Sequence, residues 1–312
     1  MSRFASSRLR LALSLGVVWL TFGSAPVGAR VGVTHVPPFL FGGVRFVLAG
    51  LILLAALAVG GRGRLRLSWR ELAEAAVIGV GLTGAGQGSL NWASVEVLPG
   101  VVAMFIATLP LFTALLGRLL LGNRISCLGV AGLGLGVAGT LLLALPAAGG
   151  SVPPGAALAL AGGVLSWAAA SLFAVRSRVG RRPLLLAGLQ MLAGGGVQLL
   201  MALILGEPAA FRTGPALQPE VVLWFVYLLL GPAVLGFVCF SWLLTHASPV
   251  VANSQAYVTP VVAILLGWLL LGEPLTPRTL VAAGVGLTGV VLLVVAQARV
   301  RVAAERRLSK AA

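Results

Sequence analysis

Two stretches of this chain carry a spacing that elsewhere cradles a nucleotide. Residues 132–143 read GLGLGVAGTLLL and contain Gly134-x-Gly136-x-x-Gly139; residues 284–293 read GVGLTGVVLL and contain Gly284-x-Gly286-x-x-Gly289. A pyrophosphate needs that pattern between a strand and a helix, with an acidic residue about 20 positions further on for the ribose. The next acidic residue after Gly139 is Glu207, and after Gly289 it is Glu305. Neither context is a βαβ unit. The glycines read instead as small residues that let helices approach closely, as in Gly132-x-x-x-Gly136. The second set of groups able to do chemistry is polar. Arg45 stands seven residues into an apolar run that opens at Pro38. Gln87, Asn91 and Trp92 close another run, and Asn253, Ser254, Gln255 and Tyr257 form the most polar stretch of a third. Such groups must bond to a neighbouring helix or to a ligand.

The elements that position them follow from composition. Of 312 residues, 59% are hydrophobic and 9% are charged, with a mean hydropathy of +1.06. A soluble domain carries about 25% charged residues, so there is too little polar side chain here for a water-exposed surface. The apolar residues fall in runs of about 18 to 25, the length that crosses a hydrocarbon core as a helix. Ten spans are expected, near 9–29, 38–59, 72–92, 97–121, 125–145, 155–175, 183–205, 221–244, 249–271 and 277–297. The first has the form of a secretory signal, with Arg3, Arg8 and Arg10 ahead of LALSLGVVWL. It is read as a retained helix, because the repeat described next gives it a partner.

A net charge of +15 raises nucleic acid as a partner, but apart from Arg45 every basic residue lies near a helix end, in a loop or in the tail. No basic stripe interleaves with stacking aromatics. Of the 22 Lys and Arg, all but Arg30, Arg45, Arg212 and Arg278 (18 residues) fall on one side of the membrane when both termini share it. The positive-inside rule makes that side the cytoplasm. The two cysteines, Cys127 and Cys239, are too few for a disulfide framework and read as packing residues.

Sliding the chain by 150 residues places 110–143 over 260–293 without a gap, with 13 of 34 positions identical. Trp92 then meets Trp242, and Pro99 meets Pro249. With a small shift of register, Trp19 meets Trp167 and Arg45 meets Gln190. The expected fold class is an all-α polytopic membrane protein of ten transmembrane helices arranged as two inverted five-helix repeats. The halves are 1–148 and 149–298, followed by a basic cytoplasmic tail at 299–312. Five is odd, so the second half points the opposite way, which is the architecture of alternating-access transporters.

These residues resemble the drug/metabolite transporter superfamily, specifically its ten-helix EamA-like branch, over roughly residues 9 to 297. Each half closes with a proline, a leucine-rich run and "LLLGNRIS" or "LLLGEPLT" ahead of a glycine-rich last helix. Each second helix opens with Pro and carries Arg45 or Gln190 seven residues later. The family usually has Glu after that glycine in both halves, whereas the first half here has Asn123, a change expected to affect a cap or a loop contact. The resemblance implies export, or less often uptake or exchange, of small metabolites such as amino acids across the cytoplasmic membrane. It also implies a basket in which helices one to four and six to nine surround a cavity, with the fifth and tenth outside.

The cavity candidates are Trp19, Arg45, Gln87, Asn91, Trp92, Trp167, Gln190, Trp242, Asn253, Ser254 and Tyr257. Asn253 and Tyr257 share one helix face. For the polar candidates the alternative is hydrogen bonding to neighbouring helices, and for Trp19 and Trp167 it is a place near the membrane interface without a role in transport. Pro110 and Pro260 fall mid-span at matched positions and read as hinges. The chain has no Asp, and none of its seven Glu lies deep in a span. The first helix, "LALSLGVVWLTFG", lacks the membrane-embedded Glu that small multidrug-resistance relatives use to exchange protons for cations. Two histidines far apart and no Asp speak against an enzyme. The expected partners are a small-molecule substrate and the lipid bilayer, with a homodimer left open; no cofactor, metal or nucleic acid is expected. Fusing a reporter that fluoresces only in the cytoplasm to either end should give signal at both termini, and a periplasm-dependent phosphatase should stay silent at both.

Overall fold

Residues 2–59, 68–122, 126–144, 152–179, 182–211, 217–246 and 255–311 are described by a computed structural model. Among them there is no strand. Among the described residues ten helical columns follow one another, besides a short helix at Glu207–Phe211: α1 (Ser2–Val33), α2 (Pro38–Val59), α3 (Trp69–Gly79, Val80–Gln87 and Gly88–Ala93) and α4 (Pro99–Ala107 and Leu109–Leu121). Then come α5 (Cys127–Ala144), α6 (Pro154–Arg176), α7 (Pro183–Ile204), α8 (Pro219–Leu228, Leu229–Gly236 and Phe237–His246), α9 (Gln255–Leu271) and α10 (Pro277–Ala311). Among the described residues, six stretches are long and apolar enough to cross a bilayer by themselves: Leu9–Val33, Pro38–Val59, Pro99–Leu120, Pro154–Ala174, Leu184–Ile204 and Pro219–Phe240. Shorter apolar helices at Cys127–Gly139 and Val258–Leu271 accompany them. The helix of α10 does not stop at the expected tail. It runs on through the basic residues to Ala311.

Local sequence explains where the columns start and stop. Pro38, Pro99, Pro154, Pro183, Pro219 and Pro277 open six of them, because a first-turn proline has the right φ and its missing N–H is not needed there. Column α3 starts on a reciprocal cap in which the Glu71 amide donates to Ser68 Oγ at 3.2 Å and the Ser68 amide donates to the Glu71 carboxylate at 3.0 Å. Gly122 and Gly272, the glycines of the two "LLLG" runs, have φ of 68° and 66°. They end α4 and α9 in the left-handed conformation that only glycine adopts without strain. Past Gly272, the acidic position of the second motif is Glu273, whose amide donates to the Gly267 carbonyl at 3.1 Å. Its carboxylate lies where a Cβ on Gly267 would be. The equivalent Asn123 lies outside the described residues.

The packing is two-fold. Column α2 lies along α7, and α5 lies along α10. Column α1 packs on α8 and α9, just as α6 packs on α3 and α4. Exchanging each helix for the one five places on reproduces the set. Columns α5 and α10 touch the rest of the bundle mainly through α4 and α9, so they stand at the periphery.

Their crossing answers the glycine question. A Cβ on Gly139 would come within 2.5 Å of the Gly286 nitrogen and 2.8 Å of the Ala282 carbonyl oxygen; one on Gly289 would come within 2.6 Å of the Gly132 carbonyl oxygen. Gly134 and Gly284 meet nothing within 4 Å. In lipid there is no water to drive helices together, so such close backbone contact is a main source of association. Gly139→Leu should therefore lower the melting temperature of the purified protein, at a cost of about 1–3 kcal/mol for forced overpacking, while Gly134→Leu should leave it within error.

Candidate functional site

At the centre of the basket, α1, α2, α3, α4, α6, α8 and α9 enclose a cavity of about 110 Å³. Its apolar wall includes Phe22, Leu228 and Phe237, and Arg45, Gln87, Asn91, Ser94, Trp167 and Thr259 also face it. The two halves therefore share one chamber.

Arg45 is the only charged residue among the described residues lining it. It is 4% exposed, its guanidinium sits 4.5 Å from the centre of the Phe46 ring and 5.6 Å from that of Phe41, and its Nε has no hydrogen-bond partner. The aromatic faces offset part of the cost of burying the charge, by about 2 kcal/mol for a desolvated pair.

Asn91 is placed by Gln198, which is fully buried on α7. Gln198 Nε2 donates to the Thr83 carbonyl at 2.8 Å, and its Oε1 accepts from Asn91 Nδ2 at 3.3 Å. This pair occupies the space over Gly42, where any Cβ would overlap both amides. Glycine on α2 is thus what makes room for the amide pair that holds Asn91 at the cavity wall.

Thr83 lies in the segment Val80–Gln87, which is π-helical, and so is Leu229–Gly236 on α8. The two segments have the same length and fall at matching positions of the two repeats. Both border the cavity, through Gln87 on one side and Pro232 and Ala233 on the other. A π turn misaligns the backbone ladder. In α3 two carbonyls of the segment accept side chains from other columns: Ser166 Oγ donates to Gly81 O at 2.8 Å, and Gln198 holds Thr83 O.

At the end where α1 finishes, Arg30 Nη1 donates to the Ser94 carbonyl at 2.6 Å and also to that of Val95. These are carbonyls at the C-terminal end of α3, where the helix dipole favours a cation. Ala29 and Ser94 both line the cavity, so this contact joins α1 to the end of α3 beside it. Nearby, Glu207 accepts the Leu40 amide at 2.7 Å and the Phe39 amide at 3.3 Å, capping α2 from a distant part of the chain. Burial raises its carboxyl above the ordinary carboxylate range, against the pull of the two amides.

The structure gathers Arg45, Gln87, Asn91 and Trp167 of the sequence candidates at the cavity. Gln190 is buried where the backbone of α7 crosses Gly79 and does not line the cavity. Trp92 is 42% exposed and borders a separate pocket with Pro38, Glu96 and Glu207. Trp19 is half-buried on α1, away from the cavity lining. Trp242 and Tyr257 are on α8 and α9; Asn253 and Ser254 lie outside the described residues. Pro110 follows a break in α4 at Thr108, whereas Pro260 is buried within a continuous α9. Sequence reasoning missed Gln198, although a lone amide in "GGGVQLLMALI" was a visible signal. It also missed Pro26 and Pro232, which line the cavity on α1 and α8.

A helical membrane bundle with a central chamber shared by two like halves is a transporter architecture. The chain belongs to the EamA-like transporter family, whose model matches twice, at residues 11–145 and 154–295. It is 36% identical to the uncharacterized inner membrane transporter YedA of Escherichia coli K12, over 90% of this chain and 89% of that one. It is 29% identical to the probable terminal-alkyne amino-acid exporter of Streptantibioticus cattleyicolor, over 90% and 92%. A crystal structure 23% identical aligns with a TM-score of 0.64 over 92% of this chain and 97% of that one. The protein is therefore a multi-pass membrane transporter of the drug/metabolite transporter superfamily. Gln198→Leu should leave the Thr83 carbonyl and the Asn91 amide unpaired, costing about 1–3 kcal/mol, read as a lower melting temperature. Gly42→Ala should show the same sign.

Proposed function

We propose that the protein exports small polar metabolites such as amino acids, by alternating access of the central cavity to the two faces of the cytoplasmic membrane. The observation that carries this reading is the chamber itself, walled by both halves and presenting Arg45, Gln87 and Asn91, with the hydroxyl residues Ser94 and Thr259, among apolar side chains. Polar groups at that depth are costly unless they serve a ligand or a partner. The name of the Streptantibioticus relative supports an amino-acid cargo.

In this proposal both termini are cytoplasmic, the halves are 1–148 and 149–298, and substrate meets Arg45, Gln87, Asn91 and Trp167 first. Trp19, Trp92, Gln190, Trp242, Asn253, Ser254 and Tyr257 act around that centre as the halves rearrange. The Arg30 contact with the end of α3 closes the outer side. Pro110, next to the break at Thr108, and Pro260 bend α4 and α9 in turn, and the paired π segments supply compliance beside the cavity.

The test is a metabolite efflux screen in cells with and without the protein, followed by counterflow in liposomes of the solutes found. Asn253→Ala and Tyr257→Phe should lower flux severalfold at unchanged membrane abundance. Full flux in both variants removes Asn253 and Tyr257 from the path.

A further inference from the structure

We infer that the central cavity is a seat for small organic monoanions with an apolar body, with Arg45 holding the carboxylate and no ammonium group required. The inference rests on the transporter reading above and narrows its substrate class.

Three observations converge on it. The first is the state of Arg45. Its guanidinium is charged at every physiological pH, it is nine-tenths or more buried, and its Nε lacks a partner while the residue lines the cavity. A lone cation at that depth is costly, and its contacts with Phe41 and Phe46 return only part of that cost. A carboxylate arriving in the cavity would give the guanidinium a partner of opposite charge, in the two-pronged geometry it favours.

The second is what the cavity lacks. Among the described lining residues there is no Asp or Glu, so nothing of opposite sign stands ready for an ammonium group, and a cationic ligand would meet only repulsion from Arg45. The third is the rest of the wall. Phe22, Leu228 and Phe237 present hydrocarbon and aromatic surface, with Gln87 and Asn91 as neutral hydrogen-bonding groups. The amide of Asn91 is held by Gln198, which leaves its carbonyl oxygen for a neutral donor. Such a surround takes an alkyl or aryl body of modest size.

Pseudo-symmetry sharpens the point. The position matching Arg45 is Gln190, a neutral residue that does not line the cavity. The charged seat is therefore single and belongs to α2, and one anionic group per ligand is what it accommodates.

The experiment uses the full-length protein purified in detergent and three probes related by deletion: leucine, 4-methylvalerate (leucine without its amine) and isoamylamine (leucine without its carboxylate). Each is added at the same millimolar concentration at pH 7, and thermal unfolding is followed by tryptophan fluorescence. A ligand that binds the folded state raises the melting temperature. The expected result is stabilisation by 4-methylvalerate at least equal to that by leucine, and none by isoamylamine. Arg45→Gln should erase the 4-methylvalerate shift. Arg45→Lys, which keeps the charge and loses the fork, should weaken its apparent affinity about tenfold and serves if Arg45→Gln does not fold. Stabilisation by isoamylamine, no shift with any of the three, or an undiminished 4-methylvalerate response in the Arg45 variants overturns the inference. Counterflow in proteoliposomes separates the two readings. Flux of isoamylamine but not of 4-methylvalerate keeps the transporter and discards the anion seat; 4-methylvalerate binding at Arg45 without flux of any probe keeps the seat and discards transport through it.

Discussion

Helices in lipid gain little by hiding apolar surface from one another, since the surrounding hydrocarbon is equally apolar, so they hold together where their backbones can come close. This chain meets that constraint with glycine at each major crossing. Column α5 meets α10 through Gly139, Gly286 and Gly289. On the inner pair, a Cβ on Gly50 would come within 2.8 Å of the Gly188 carbonyl oxygen, and one on Gly194 within 2.6 Å of the Gly84 nitrogen. Columns α2, α3 and α7 are thereby drawn into one tight layer. That layer sets the rotation of α2 about its own axis, and with it the direction in which Arg45 points.

The second constraint is that polar groups in this interior must find partners. The bundle meets it locally wherever it can. Thr21, Ser94 and Thr108 return their hydroxyls to carbonyls of the preceding turn, and Ser24 reaches Tyr227 across to α8 at 2.6 Å. Gln198 on α7 holds two groups of α3 at once. Against that background the unpartnered Nε of Arg45 is an exception, and it occurs beside the cavity. A symmetric scaffold thus carries asymmetric chemistry: the matched π segments and the matched left-handed glycines repeat in both halves, while the charge and the Asn91–Gln198 amide pair belong to α2, α3 and α7.

Much of this was legible in the residues. Apolar runs bounded by proline, glycine and arginine located the columns, and the duplicated Pro-to-"LLLG" segment disclosed the repeat. The glycine fingerprint could be assigned to packing because no acidic residue followed at the right distance. The interruption of α3 and α8 was less visible: "GLTGAGQGS" and "LLGPAVLG" are rich in glycine or proline, but nothing in them specifies a π register over a bend. Gln190 and Arg45 looked equivalent in sequence and differ in placement, since a few degrees of helix rotation decide whether a side chain faces a chamber or a neighbouring backbone.

By itself the sequence determined that the chain must live in a bilayer, that it consists of two related halves, and that its membrane-crossing elements are helices. These follow from composition and periodicity, which act residue by residue through transfer to hydrocarbon and through backbone hydrogen bonding. Only the tertiary structure decided which of the polar residues face a common cavity, which pair among themselves, and that Arg45 Nε is left without an acceptor. Those outcomes depend on how seven helices cross and turn against one another, and crossings are fixed by contacts between residues far apart in the chain.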